Sequence, residues 1–158
     1  MLIAVLSDTH RYESAIKKAV DMCKDVDKII HLGDNVSDLE VIKAYTDKEI
    51  ISVRGNCDSE ISVPSEKVID LEGTKIFLTH GHNYGVKTSI LRLKYRAEEL
   101  GVSIALYGHS HIPFISKENG VWLINPGSVS LSKTKDNTMA FIEINKENIY
   151  PYIKVINS

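Results

Sequence analysis

Seven residues able to bind metal ions stand just beyond apolar runs: Asp8, His10, Asp34, Asn56, His80, His109 and His111. Asp8 and His10 follow residues 2–6, and Asp34 follows residues 29–32 through Gly33. Asn56 follows 50–53, His80 follows 76–78, and His109 and His111 follow 104–107. Carboxylate, amide and imidazole donors of this kind suit divalent first-row cations. A catalytic site of the zinc type takes about three protein ligands plus water, so seven donors with one shared carboxylate fill two such sites. Asp34, alone after its glycine, is the candidate for sharing. Two cations about 3.5–4 Å apart can hold a bridging hydroxide and clamp the attacking and leaving oxygens of an in-line displacement at phosphorus. After Asp8, Asp34 and the hydroxide are counted, such a pair keeps a local positive surplus that attracts a phosphate-ester anion.

Those donors need a scaffold whose strand ends converge. Residues 2–6 form a continuous apolar run of the kind found in buried parallel strands. Ala15, Ile16, Ala19, Val20 and Cys23 recur at helical spacing, and 28–32 reads as a second strand. Ser37 followed by Glu40 has the capping-box pattern, leading into Leu39, Val41, Ile42 and Tyr45 on a helix. Residues 50–53 complete a β-α-β-α-β order, which implies a parallel sheet with ligands gathered beyond the carboxyl ends of its strands. Segments 67–71 and 75–79 flank Glu72-Gly73 as a hairpin would. Val86, Ile90, Leu93, Ala97 and Leu100 step as one helical stripe that Gly101 ends. Residues 103–107, 113–116, 121–124, 138–144 and 150–155 are further strand candidates.

Composition bounds the partners. A chain of 158 residues fits one domain, here taken as 1–158, and can hold a core without covalent staples. A formal net charge of −2 argues against a broad groove for long nucleic acid. Two cysteines are too few for a secreted disulfide framework. No apolar run is long enough to span a membrane. The first run lacks a basic flank and meets Ser7 and Asp8 at once, so it reads as a buried strand rather than a signal peptide. The expectation is a mixed α/β protein of the reducing cytoplasm with no membrane partner.

Five blocks, Asp8-Thr9-His10, Gly33-Asp34, Gly55-Asn56-Cys57-Asp58, His80-Gly81-His82 and Gly108-His109-Ser110-His111, resemble the calcineurin-like metallophosphoesterase signature in order and spacing. The short length, Cys57 and the Asn125-Pro126-Gly127-Ser128 segment are similar to the small YfcE-type phosphodiesterase subgroup. The resemblance implies a four-layer α/β/β/α sandwich. It implies that Asp8, His10, Asp34 and His111 hold one metal, and that Asp34, Asn56, His80 and His109 hold the other. Members of the subgroup are usually active with Mn2+ or Ni2+, with Zn2+ or Fe2+ as alternatives, and hydrolyse small phosphodiesters by attack of a metal-bridging hydroxide. A dimer or tetramer is also implied. A phosphomonoesterase on the same site is the alternative activity. The retromer small subunit, a protein-interaction scaffold that resembles this fold with its site degraded, is the alternative class.

Two departures from that family pattern bear on chemistry. Cys57 stands where many larger members carry a histidine that protonates the leaving group. A thiol near its reference pKa of about 8.5 is a poor acid for an alkoxide, which favours diesters with stabilised leaving groups. Arg11 stands where a glycine is common, and its guanidinium is a candidate phosphate contact or a solvated side chain. Asp58 caps a turn or orients a neighbouring ligand. His82 supports His80, touches substrate or lies in solvent. The Asn125–Ser128 segment is a turn, a support for the ligands at the same edge or a group facing the phosphate. His31 and Cys23 read as core, and Trp122 as packing.

Overall fold

The computed structural model describes residues 1–146 and 148–156. Among the described residues, ten strands form two five-stranded sheets. The first sheet joins β1 (Leu2–Leu6), β2 (Lys28–His31), β3 (Glu49–Ser52), β9 (Thr138–Ile144) and β10 (Ile149–Val155) in the order β10-β9-β1-β2-β3. The second joins β4 (Glu66–Leu71), β5 (Thr74–Thr79), β6 (Ile104–Leu106), β7 (Pro113–Glu118) and β8 (Val121–Pro126) in the order β4-β5-β6-β8-β7. Strands β1, β2 and β3 run parallel, as do β5, β6 and β8. Their carboxyl ends therefore open on one edge of each sheet.

The period of two along each strand sorts side chains between layers. Ile3 and Val5 of β1 face the interior shared with Ile76, Leu78, Leu106 and Ile124 of the second sheet. Ala4 and Leu6, one residue out of step, face the helical layer of Ile16, Ala19, Val20 and Ile42. Phe77 and Ala105 turn from the second sheet toward Leu93 and Ala97. The helices α1 (Glu13–Asp21), α2 (Leu39–Tyr45) and α3 (Leu91–Leu100) thus cover the two outer faces, giving the four-layer α/β/β/α sandwich. Truncating a fully enclosed side chain such as Ile16 or Leu93 to alanine costs about 2–5 kcal/mol. No helix among the described residues is long and apolar enough to cross a membrane.

Two local expectations fail for physical reasons. The Ser37–Glu40 capping box does not form: Ser37 lies exposed in a 3₁₀ turn (Val36–Asp38), and α2 starts after it without a side-chain cap. The Asp38 carboxylate is instead engaged by the first strand's loop, accepting the Thr9 hydroxyl at 2.5 Å and the Arg11 N–H at 2.9 Å. The stripe from Val86 to Leu100 is one packing face but not one helix. After a 3₁₀ turn (His82–Tyr84), residues 85–88 form a further turn, with the Gly85 carbonyl accepting the Thr88 N–H at 3.0 Å and the Ser89 N–H at 3.2 Å, and α3 begins only at Leu91. Val86 still packs against Phe77 and Leu93 in the same layer.

Candidate metal centre

Five loops leave the carboxyl ends of β1, β2, β3, β5 and β6 and meet at the edge between the sheets. Their backbones are unusual. Among the described residues, eight non-glycine positions have positive φ, and six of them are Asp8, His10, Arg11, Asp34, His109 and His111. Conformations of this kind cost energy and persist where the surroundings over-determine them, typically at functional sites. Glycine permits the close approach of the loops. A Cβ on Gly55 would fall against Asp34 Oδ1 and 2.9 Å from the His80 ring, and one on Gly108 would fall against Ser7 Oγ.

Two groups of donors result. Asp8, His10 and His111 each bring a ligand atom within 4.8 Å of the others, and so do Asp34, His80 and His109. The carboxylates share a design. Asp8 Oδ2 accepts the Ser7 hydroxyl at 2.6 Å and the His109 N–H at 3.1 Å. Its Oδ1, buried and without a hydrogen bond, faces Nε2 of His111 at 3.0 Å, of His10 at 3.7 Å and of His80 at 3.8 Å. Asp34 Oδ1 accepts the Cys57 N–H at 3.0 Å, and Oδ2 faces His80 Nε2 at 3.2 Å.

The tautomers decide what fits between them. His80 Nδ1 lies 2.8 Å from the Leu32 carbonyl and His111 Nδ1 lies 2.7 Å from the Leu131 carbonyl. A carbonyl only accepts, so both Nδ1 atoms carry protons. In the neutral form of either ring, Nε2 would present a lone pair toward a carboxylate oxygen. His80 Nε2 also meets His109 Nδ1 at 3.2 Å, and His10 Nε2 meets His111 Nε2 at 3.4 Å. Deprotonated at Nε2, His80 and His111 would turn lone pairs into a space bordered by carboxylate oxygens, an arrangement that fits a cation in each group.

Titration behaviour follows the same geometry. Burial works to raise the Asp8 carboxyl, but His10, His111 and the charge of His80 hold it far below the usual carboxylate range. Burial opposes His80 and Asp34 likewise, yet their contact raises the imidazole and brings Asp34 down to about 2. Burial and the charge of His80 lower His109 to about 4, which keeps it neutral and available as a ligand.

The calcineurin-like phosphoesterase superfamily domain matches residues 1–147. The chain belongs to that superfamily. It is 34% identical over 149 residues to a probable metallophosphoesterase of Bacillus subtilis, covering 94% of this chain and 86% of that one. It is 30% identical over 165 residues to a phosphodiesterase of Methanocaldococcus jannaschii, covering 93% and 95%. A solved structure of a predicted phosphoesterase from Streptococcus pneumoniae superposes with a TM-score of 0.83 at 30% identity, covering 98% and 88%.

Around this calcineurin-like centre the other expected residues differ in placement. Asp58 accepts the N–H groups of Asp34 at 3.0 Å, Gly55 at 2.7 Å and Val36 at 2.7 Å, so it orients the Asp34 loop. Asn56 is exposed, and its amide nitrogen is 3.7 Å from Cys57 Sγ, which leaves Oδ1 as the atom a cation would take. Cys57 is exposed, and partial burial and the Asp34 charge raise its thiol. The His82 ring lies 5.5 Å from His80 and 6.1 Å from His109, with Nδ1 buried and unbonded. Arg11 is exposed, and its guanidinium has no partner among the described residues; only its backbone is fixed, by Asp38.

The Asn125–Ser128 segment is a brace. Asn125 donates to the Gly108 carbonyl at 3.1 Å and to Ser110 Oγ at 2.9 Å, which fixes the loop of His109 and His111. Ser128 Oγ donates to the Asp8 carbonyl at 2.8 Å. His31, fully buried, meets Thr9 Oγ1 at 3.1 Å and accepts the Gly33 N–H at 3.2 Å. Asp38 and Ser130 escaped sequence reasoning. Asp38 was masked by the false capping box, and Ser130, bonded to the Asp8 and Thr9 carbonyls, sits in a serine-rich turn with no motif of its own.

Proposed function

We propose that this chain is a phosphodiesterase that works with two divalent cations on small substrates. The observation that carries the reading is the position of His80 Nε2, facing both Asp34 Oδ2 at 3.2 Å and Asp8 Oδ1 at 3.8 Å, so that the two donor groups adjoin. Asp8, His10 and His111 would hold one ion, and His80, His109 and Asn56 the other, with Asp34 between them. The printed description of the M. jannaschii relative as a phosphodiesterase supports the same class. Bound cations supply Lewis acidity toward phosphate oxygens and lower the pKa of water. The chain's own part is to hold the carboxylates through Ser7, Cys57 N–H and Asp58, and to keep the imidazole tautomers fixed through Leu32 and Leu131.

Mn2+ or Ni2+ are the ions to test first, then Zn2+ and Fe2+. Cys57 with its raised thiol is a weak proton donor, which favours diesters whose leaving groups need little protonation. The test is hydrolysis of bis(p-nitrophenyl) phosphate and p-nitrophenyl phosphate by protein stripped of metal and reloaded. Diester turnover that returns with Mn2+ or Ni2+ supports the reading. A clear monoester preference replaces it with a phosphomonoesterase, and inertness toward both overturns it.

A further inference from the structure

A groove of 540 Å³, lined by Tyr12, Lys18, Ser130, Lys135, Asp136 and Asn137 among others, adjoins the loops behind the donors, none of which lines it. Its size is that of a small-ligand site. It shares a wall with the centre. Ser130, which lines the groove, bonds through Oγ to the Asp8 carbonyl at 3.2 Å and the Thr9 carbonyl at 2.9 Å. Leu131, the next residue, accepts His111 Nδ1 at 2.7 Å. Tyr12 lies two residues after His10 and is half exposed, with no ring packed on it among the described residues.

The groove's charge runs against that of the chain. Lys18 and Lys135 are exposed and have no ion pair or hydrogen bond among the described residues, and Asp136 is the one acidic side chain beside them on the wall. The protein as a whole carries −2. Two free ammonium groups suit a phosphate dianion, and an open tyrosine ring suits a nucleobase, which stacks on aromatic faces without sequence preference.

We propose that this groove binds a nucleotide arm of the substrate, with Lys18 and Lys135 receiving a second phosphate and Tyr12 the base. The inference rests on the phosphodiesterase reading and names its substrate class: a diester one arm of which ends in a further phosphate. Lys18, Lys135 and Tyr12 then set specificity and take no part in bond cleavage.

The test compares diadenosine monophosphate (ApA) with its 5′-phosphorylated form (pApA), and separately titrates adenosine 3′,5′-bisphosphate into metal-free protein followed by backbone amide NMR. The expected kcat/KM ratio of pApA to ApA is tenfold or more in the wild type and falls to within twofold in Lys18→Gln/Lys135→Gln. The bisphosphate is expected to shift the amides of Ser14, Ser130 and Asn137 in the wild type, and tenfold more is needed in the double variant. The amide spectrum also reports whether that variant is folded, and the single variants Lys18→Gln and Lys135→Gln serve if it is not. Equal rates on the two dinucleotides, a preference that survives the substitutions, or absence of those shifts overturns the subsite. Inertness toward both nitrophenyl substrates and both dinucleotides, with the shifts present, overturns the phosphodiesterase reading and leaves the nucleotide site standing.

Discussion

Asp58 Oδ2 accepts the backbone N–H of Asp34 at 3.0 Å, so one carboxylate positions another without touching the donor groups itself. The same oxygen takes the Gly55 N–H and Oδ1 takes that of Val36, tying the ends of β2 and β3 together. Asp58→Asn keeps an acceptor at one position only. It should lower metal affinity by about 10–100-fold, the range for residues that orient metal ligands. Raising the metal concentration should restore activity in large part. Metal titration with activity at each point is the measurement, and wild-type affinity in the variant contradicts the positioning role.

Asp34→Asn and His80→Ala should each reduce diester turnover by orders of magnitude while circular dichroism stays native. Metal should also stabilise the wild type, by about 2.7 kcal/mol at 100 times its Kd, and neither variant to that extent. Thermal melts with chelator and with added Mn2+ read this directly. Equal metal-induced shifts in wild type and variants would remove both residues from the ligand set.

Gly55→Ala is a one-methyl probe of the same carboxylate. The new Cβ meets Asp34 Oδ1 on one side and the His80 ring on the other. Loss of metal binding should exceed loss of stability, since the contact bears on two donors rather than on the core. Isothermal calorimetry with Mn2+ alongside urea unfolding separates the two effects.

Cys57→His places an imidazole where the thiol now stands, exposed at the mouth. Leaving groups that need a proton should gain, so the ratio of monoester to diester rates should rise several-fold. Parallel assays on the two nitrophenyl substrates check this. An unchanged ratio would put residue 57 away from the leaving group.

His31 gives the metal-free protein an acid-sensitive element. Burial lowers its pKa from 6.5 to about 4, against the pull of Asp38, Asp58 and Asp8. The unfolded chain takes up a proton below about pH 6.5 that the folded chain refuses until about pH 4. Its contribution is therefore present above that window and lost as pH falls through it, by at most about 3 kcal/mol. His31→Gln should be less stable at pH 7.5 but flatter between pH 6.5 and 4. A wild-type-minus-variant difference that is constant with pH contradicts this.

The parallel strands and the gathering of the donors were legible because each of five apolar runs gives way within three residues to Asp, Asn or His. The helix boundaries around Ser37 and Val86 were not. Ser37 and Glu40 carry the local spacing of a cap, but Thr9 and Arg11, far away in sequence, claim the carboxylate between them. Val86 and Ile90 keep helical spacing because they pack on one layer, although a turn over residues 85–88 separates Val86 from α3. The braces Asn125, Ser128 and Ser130 act through backbone carbonyls of distant loops, and such bonds leave no periodic trace.

The bond from Ser128 Oγ to the Asp8 carbonyl spans 120 residues, and that span has a meaning in time. A ribosome adding about 5–20 residues per second needs on the order of 6–24 s to go from one partner to the other. Over that interval Asp34, Asn56 and His80 join Asp8 and His10 on the nascent chain, and His109 and His111 are the last of the seven donors to be made. The donor set is complete only once His111 has been made, so a cation that needs both groups would enter late in synthesis, when most of the chain already exists.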